Sequence, residues 1–307
     1  MNTSLSEILE IPERGKALLA DTSKYSLPLR VPYLSMGSSY FASLAFKYMG
    51  IEIYPEVASE FYTYLKKDTK IPEAVIVSQS GRSSEALWCT SIVDQYTAVT
   101  NDVTSTLARE KNAKKVISIM AGEEHHSSSK TYTNTLLALF KGFEMDASAA
   151  LQVLSDNMSV YQRQGSAMAE KVFDLLKSGN IHGIYITGNG PNIATAMEAA
   201  LILSESTKRN FHGLPLAQYD HGPKETAKNS IVIQILSQGP AYSRSVKLGN
   251  TIMQAGAYVL AVEEKNVPEN FSILNNIVPF NFMALYLAEK LHVGSTFTVG
   301  GKVTEVE

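Results

Sequence analysis

Two periods alternate along the chain. Short apolar runs of strand length are separated by longer stretches in which apolar positions recur three and four residues apart, the spacing of a helix. Residues 31–36, 74–77, 98–100 and 116–120 predict strands. The run Ala74-Val75-Ile76-Val77 is apolar throughout, as in a strand covered on both faces. Helices are predicted over 41–48, 84–93 and 129–140. The pattern then restarts. Strands are predicted at 182–187, 230–237 and 258–262, with helices over 192–208, through Val246 and Met253, and over 281–291. A helical bridge over 155–177 joins the two series. Strands alternating with helices predict parallel sheets covered by helices on both faces, an α/β three-layer sandwich of flavodoxin-like or Rossmann-like type. The restart predicts two such halves: residues 1–154 with an N-terminal helix, and 155–307 with a C-terminal tail.

Composition narrows the class. With 45% hydrophobic and 19% charged residues, the 307-residue chain has apolar material for two cores. A net charge of −3 and the lack of a basic stripe make nucleic acid an unexpected partner. An anionic ligand would have to be held locally, by backbone N–H groups. The single cysteine, Cys89, excludes an intrachain disulfide. It follows Trp88 in an apolar helical stretch and reads as a buried structural thiol. Residues 1–10 carry acids and no signal-peptide core, and the expectation is that no run reaches the roughly 18 apolar residues of a membrane span. The expected location is therefore the cytoplasm, without membrane association.

Two strand-to-helix turns carry candidate chemistry. One is Gly37-Ser38-Ser39 and the other runs from Ser78 through Gln79, Ser80, Gly81 and Arg82 to Ser83. In an open α/β sheet, ligands gather at the carboxyl ends of strands near a switch in strand order. Glycine lets a backbone approach closely there, and serine adds donors without bulk. Each turn could equally be a helix N-cap, and the two together favour phosphate. No P-loop is present, and Gly188-x-Gly190 lacks the third glycine of a dinucleotide site. The pair His125-His126 invites a metal reading, but without spaced cysteines or an H-E-x-x-H helix no metal or other cofactor is expected.

The motifs Gly37-Ser38-Ser39-Tyr40, Glu56 to Phe61, Ser78-Gln79-Ser80-Gly81, Leu107 to Glu110 and His221-Gly222-Pro223, in this order, resemble the sugar isomerase (SIS) domain family. The order is similar to that in the isomerase half of glucosamine-6-phosphate synthase and in the stand-alone glucosamine-6-phosphate deaminases, and it implies two SIS domains in tandem. The resemblance implies that Ser38 and Ser39 contact the sugar phosphate or its neighbouring hydroxyls. It implies that Ser78, Gln79, Ser80 and Ser83 hold the phosphate and that Ser128 lines the sugar site. It implies further that Glu205 moves the proton, that His221 opens the ring from across a homodimer interface, and that Lys302 closes over the sugar. Five departures stand out: Ile202 and Ser204 occupy positions where the synthase has lysines, Tyr219-Asp220 precedes His221 where the synthase has Leu-Lys, Arg82 replaces a glutamate, and the loop Glu123-Glu124-His125-His126 is one residue shorter.

Proton transfer between C1 and C2 of a sugar needs one carboxylate that reaches both carbons, and ring opening needs a second acid–base group, for which histidine suits neutral pH. Glu205 follows the apolar stretch 199–203, and Glu198 lies two turns earlier on the same helix and reads as structural. The leading expectation is a deaminase or isomerase that interconverts glucosamine 6-phosphate with fructose 6-phosphate and ammonia. A deglycase acting on amino-acid–sugar-phosphate adducts is the second reading. The third is a sugar-phosphate sensor without turnover.

Overall fold

The computed structural model describes residues 3–65 and 70–305 of the chain. Two short helices open it, α1 (Thr3–Leu9) and α2 (Ile11–Ala20). Next come β1 (Pro32–Ser35), α3 (Gly37–Tyr48), β2 (Tyr54–Val57) and a brief α4 (Ala58–Glu60) that runs on as a π turn. The series continues with β3 (Ile71–Val77), α5 (Ser84–Thr90), β4 (Val93–Thr100), α6 (Thr106–Arg109), β5 (Ala113–Ser118) and α7 (Lys130–Gly142). The five strands form one all-parallel sheet in the order β2-β1-β3-β4-β5.

Alternation along the strands explains the layers. Leu34, Ile76 and Ala98 point to one face, where they pack with Ala86 and Cys89 of α5 and with Leu107 of α6. The opposite face takes α3 and α7, whose Phe46 and Phe140 rings meet edge-on at 4.8 Å, and Tyr33 of β1 lies 6.0 Å from Phe143. Cys89 is buried as expected. Burial pushes its thiol up to about 12, and its Sγ faces the Ala58 carbonyl.

After the 30-residue α8 (Ser148–Lys177) come β6 (Gly183–Gly188), α9 (Asn192–Thr207), β7 (His212–Pro215), α10 (Leu216–Asp220), a 3-10 turn at Pro223–Thr226, and β8 (Ser230–Leu236). The last elements are α11 (Tyr242–Gln254), β9 (Tyr258–Glu263), α12 (Glu269–Asn276) and α13 (Val278–Lys290). This second sheet is also all parallel, in the order β7-β6-β8-β9. One face packs Val232 against Leu216, Tyr219, Leu248 and Ile252 of α10 and α11. Helices α9, α12 and α13 form the core of the other side. There α8 passes so close to α13 that a Cβ on Gly165 would fall 2.5 Å from the Pro279 carbonyl oxygen.

Three sequence expectations differ from the structure. Strands β2 and β7 leave no apolar run in the sequence, because both are four-residue edge strands carrying proline, and β7 also holds Gly213. The stretch Glu269–Lys290 is, by length and composition, apolar enough to cross a membrane, but 83% of its apolar 18-residue window is buried inside the protein, so it is a core helix pair. The chain also divides differently. One compact unit holds 10–148 with the tail from 298, and the other holds the N-terminal helix with 149–297. The expected division at 154/155 placed helix and tail the other way round. The helix joins the second sheet's unit because α1 packs on α13, and the first residues of α8 belong there because Asn275 Nδ2 donates to the Ala150 carbonyl at 3.3 Å.

Candidate functional site

The order 2-1-3-4-5 places the topological switch between β1 and β3. Ser35 pairs with Val77 in register, so the turns that leave these two strands start side by side. Both turns depend on a left-handed glycine, Gly37 at φ 49° and Gly81 at φ 63°. At Gly81 the constraint is also steric, since a Cβ there would sit 2.0 Å from Ser105 Oγ and 3.0 Å from Thr100 Oγ1.

The second turn is held rigidly. Ser78 Oγ accepts from the Gly81 N–H at 3.2 Å, and Ser80 Oγ accepts from the Arg82 N–H at 3.2 Å. The Gln79 carbonyl accepts from the Asn101 N–H at 3.0 Å and from the Thr100 hydroxyl at 3.2 Å, which ties the turn to the end of β4. Neither α3 nor α5 receives a side-chain cap. The serines therefore do not serve as the N-caps that the sequence left open as an alternative.

Beside this turn lies a cavity of about 750 Å³, within the range of small-molecule sites. Gln79, Ser80 and Arg82 line one wall, Asn101 and Asp102 continue it, and the loop from Gly122 to His125 faces the tail residue Lys302. Asn101 positions that loop: its Nδ2 donates to the Gly122 carbonyl at 2.7 Å, and its Oδ1 accepts from the Ala121 N–H at 2.9 Å. The Asp102 carboxyl lies below its ordinary pKa, mainly because Thr104 donates to it through side chain and backbone, with Arg82 and Arg109 adding positive charge nearby.

Glu124 organises the far wall. Its side chain is fully buried. Oε1 accepts from Ser129 N–H and Oγ, both at 3.0 Å, and from the Thr131 N–H at 3.2 Å, while Oε2 accepts from the Thr131 hydroxyl. A carboxylate at these first N–H groups of α7 is favoured by the helix dipole. Lys302 completes the shell, donating to Glu124 Oε2 at 2.9 Å, to the Glu124 carbonyl at 2.9 Å and to the His126 carbonyl at 2.5 Å. The tail is held a second time where the Ser84 N–H donates to the Thr304 carbonyl at 3.2 Å.

The structure thus brings Gln79, Ser80 and Lys302 onto one cavity. Ser78 lies buried beneath the turn, and Ser83 precedes α5. Ser128 is half-buried in the approach to α7, and Ser38 and Ser39 open α3. These five do not line this cavity. Sequence reasoning missed the parts played by Glu124 and Asn101. The signal for Glu124 was its place five residues before a Ser-Lys helix start.

Glu205 and His221 belong to the second unit. Glu205 is half-buried near the end of α9, where its carbonyl accepts from Lys208 Nζ at 2.7 Å. Ile202 is fully buried, so the lysine expected at that position is replaced by core, and Ser204 Oγ accepts from the Phe211 N–H at 3.2 Å. Glu198 is wholly buried on the same helix. His221 is exposed at the end of α10, its N–H bonded to the Ala217 carbonyl at 3.1 Å. The turn after β8, Ser237-Gln238-Gly239, is the counterpart of Ser78-Gln79-Ser80, and it is filled from within. Ser237 Oγ donates to Glu269 Oε1 at 2.8 Å, and a Cβ on Gly239 would fall 2.2 Å from Glu269 Oε2. A carboxylate of the chain itself stands where the first sheet leaves room for a ligand.

No family model matches the chain. The glutamine–fructose-6-phosphate aminotransferase [isomerizing] of Clostridium perfringens is 25% identical over 333 residues, covering 94% of this chain and 54% of that protein. The chain spans about half the length of the curated relatives it matches. Among solved structures, the C-terminal domain of glucosamine-fructose-6-phosphate aminotransferase from Francisella tularensis superposes with a TM-score of 0.78 at 16% identity, over 94% of this chain and 96% of that one. Glucosamine-6-phosphate deaminase from Thermotoga maritima gives a TM-score of 0.77 at 17% identity, covering 96% of each chain. In sequence the chain is similar to the isomerizing glutamine–fructose-6-phosphate aminotransferases, and in fold it shares the α/β architecture of these two solved structures.

Proposed function

We propose that the chain is a sugar-phosphate deaminase/isomerase with two SIS domains, acting on glucosamine 6-phosphate. One observation carries the reading: a glycine-held serine turn at the β1/β3 switch point, beside helices without side-chain caps, opens on a cavity walled by Lys302. The likeness to the aminotransferases and the deaminase supports it.

In this reading the turn of Ser78, Gln79, Ser80 and Ser83 holds the phosphate, with Gln79 and Ser80 meeting it from the cavity wall and Ser78 and Ser83 shaping the turn, while Ser38, Ser39 and Ser128 lie toward the sugar outside this cavity and Lys302 covers it. His221 transfers the proton that opens the ring and exposes the C1 aldehyde. Glu205 removes the proton from C2 and returns it to C1, converting the 2-amino aldose to the C2 imine. Water adds to that imine and ammonia leaves, giving fructose 6-phosphate. The active form is a homodimer in which His221 serves the partner's site. The test is incubation with glucosamine 6-phosphate, with ammonia and fructose 6-phosphate measured. Glu205→Gln should abolish both products while sugar-phosphate binding persists. If the wild-type protein releases neither product, the reading is wrong.

A second reading has its own observation. Arg82 is exposed on the cavity and offers a guanidinium that glucosamine 6-phosphate does not require. A substrate whose C2 nitrogen carries an amino acid would present a carboxylate to it, as in a deglycase. Turnover of such an adduct in preference to glucosamine 6-phosphate, lost in Arg82→Met, would select it.

A further inference from the structure

The second unit carries a cleft of its own. It has a volume of about 510 Å³ and lies between the turn Pro223–Thr226 and α11. Four cations line it, Lys224, Lys228, Arg244 and Lys247, against the two carboxylates Asp220 and Glu225. Four minus two leaves a local charge of +2, in a chain whose net charge is −3.

Helix spacing sets the order of these groups. Arg244, Lys247, Leu248, Thr251 and Ile252 recur three and four apart, so one face of α11 runs from cationic to aliphatic. Leu248 and Ile252 belong to the buried cluster of this unit, and with Ala227 they give the cleft an apolar floor. The cations at the acidic end are already arranged around an anion. Lys224 Nζ meets Asp220 Oδ1 at 3.0 Å, and Arg244 Nη2 meets Asp220 Oδ2 at 3.1 Å. These two donors, Lys224 first, hold the Asp220 carboxyl below its ordinary pKa. Among the described residues, Lys228 and Lys247 form no ion pair. Two cations are thus engaged by an internal carboxylate, and two more stand beside them without one.

We infer that this cleft binds a diphosphate with an apolar body, of nucleoside diphosphate size. Its two phosphates meet Lys228 and Lys247 together with the Lys224–Arg244 pair, which can divide its N–H donors between the Asp220 carboxylate and the ligand. Its apolar part lies on Leu248 and Ile252. A sugar 6-phosphate offers one phosphate and no apolar face, so the cleft discriminates against the substrate class proposed above. The inference does not depend on that proposal, because the cleft is carried by the second unit alone.

The test is isothermal titration calorimetry of the full chain with ADP, GDP, pyrophosphate and fructose 6-phosphate. The expected result is one nucleoside diphosphate bound per chain, with pyrophosphate at least about tenfold weaker because it leaves the floor unused. The double variant Lys228→Glu/Lys247→Glu should weaken nucleoside diphosphate binding by about 30-fold or more. Both side chains are exposed, so the fold should be kept. Lys247→Met, which keeps the stem, should weaken binding by a smaller factor. Three results would overturn the inference: no heat at millimolar nucleoside diphosphate, affinity unchanged by charge reversal, or displacement of the nucleotide by fructose 6-phosphate.

Discussion

Glu124→Gln is the substitution that the geometry makes most informative. The wild-type carboxylate is fully buried and takes five donors: two from Ser129, two from Thr131 and one from Lys302. The amide keeps the shape but, with its nitrogen in the place of Oε2, turns that acceptor into a donor facing both Thr131 Oγ1 and Lys302 Nζ. It also removes the charge that balances an ammonium whose side chain is only 20% exposed. Breaking a buried ion pair from one side costs about 3–5 kcal/mol. Lys302 keeps two carbonyl acceptors, Glu124 O and His126 O, so a value near the lower end, about 3 kcal/mol, is expected. That is more than a hundredfold in the folding equilibrium. The chain's single tryptophan, Trp88, lies on α5 of the same unit, so urea unfolding followed by its fluorescence reports on this unit directly. The tail should also open to proteases near Gly300-Gly301, since its Lys302 anchor is weakened. A change within about 0.5 kcal/mol, with the tail equally protected, would show that the Glu124–Lys302 shell does not hold the wall of the cavity.

Other outcomes follow from the same structure. Gly81→Ala forces a left-handed alanine, about 1–2 kcal/mol, and drives a methyl into Ser105, about 1–3 kcal/mol more. It should lower both the urea midpoint and, by about tenfold or more, the affinity for fructose 6-phosphate in calorimetry. Gly165→Ala pushes α8 off the Pro279 carbonyl and Phe282 and should cost about 1–3 kcal/mol in unfolding free energy without changing sugar-phosphate affinity. Asp220 has a folded pKa lowered below 3.8, so its contribution to stability is complete above that value and is lost as pH falls through the folded pKa. The stability gap between wild type and Asp220→Asn should therefore be full at pH 6 and narrow progressively below about pH 4.

The alternation of apolar runs located seven of the nine strands among the described residues, and the central ones stand out from their helices because parallel strands covered on both faces are apolar throughout. The edge strands β2 and β7 escaped, since Pro55, Gly213 and Pro215 carry turn signals in strands with only one neighbour. The serine turn was legible in the sequence as a loop that could hold an anion. Its rigidity was not, because it comes from Thr100, Asn101 and Ser105 on the next strand and its loop. Periodicity also cannot report that a tail lysine closes on a carboxylate 178 positions away. That pairing joins the tail to the first sheet's unit. Nor does the sequence distinguish Ser78-Gln79 from Ser237-Gln238, two similar turns of which one is open and one is filled by Glu269.

The most direct test follows the proton. Glucosamine 6-phosphate is incubated with the protein in deuterium oxide, and the products are read by proton NMR. The account predicts ammonia together with fructose 6-phosphate whose C1 carries the proton from C2, replaced by deuterium in those turnovers in which Glu205 exchanges with solvent, and the loss of both products in Glu205→Gln. Sugar phosphate that binds but is recovered unchanged, with no deuterium in its carbon skeleton, would contradict it.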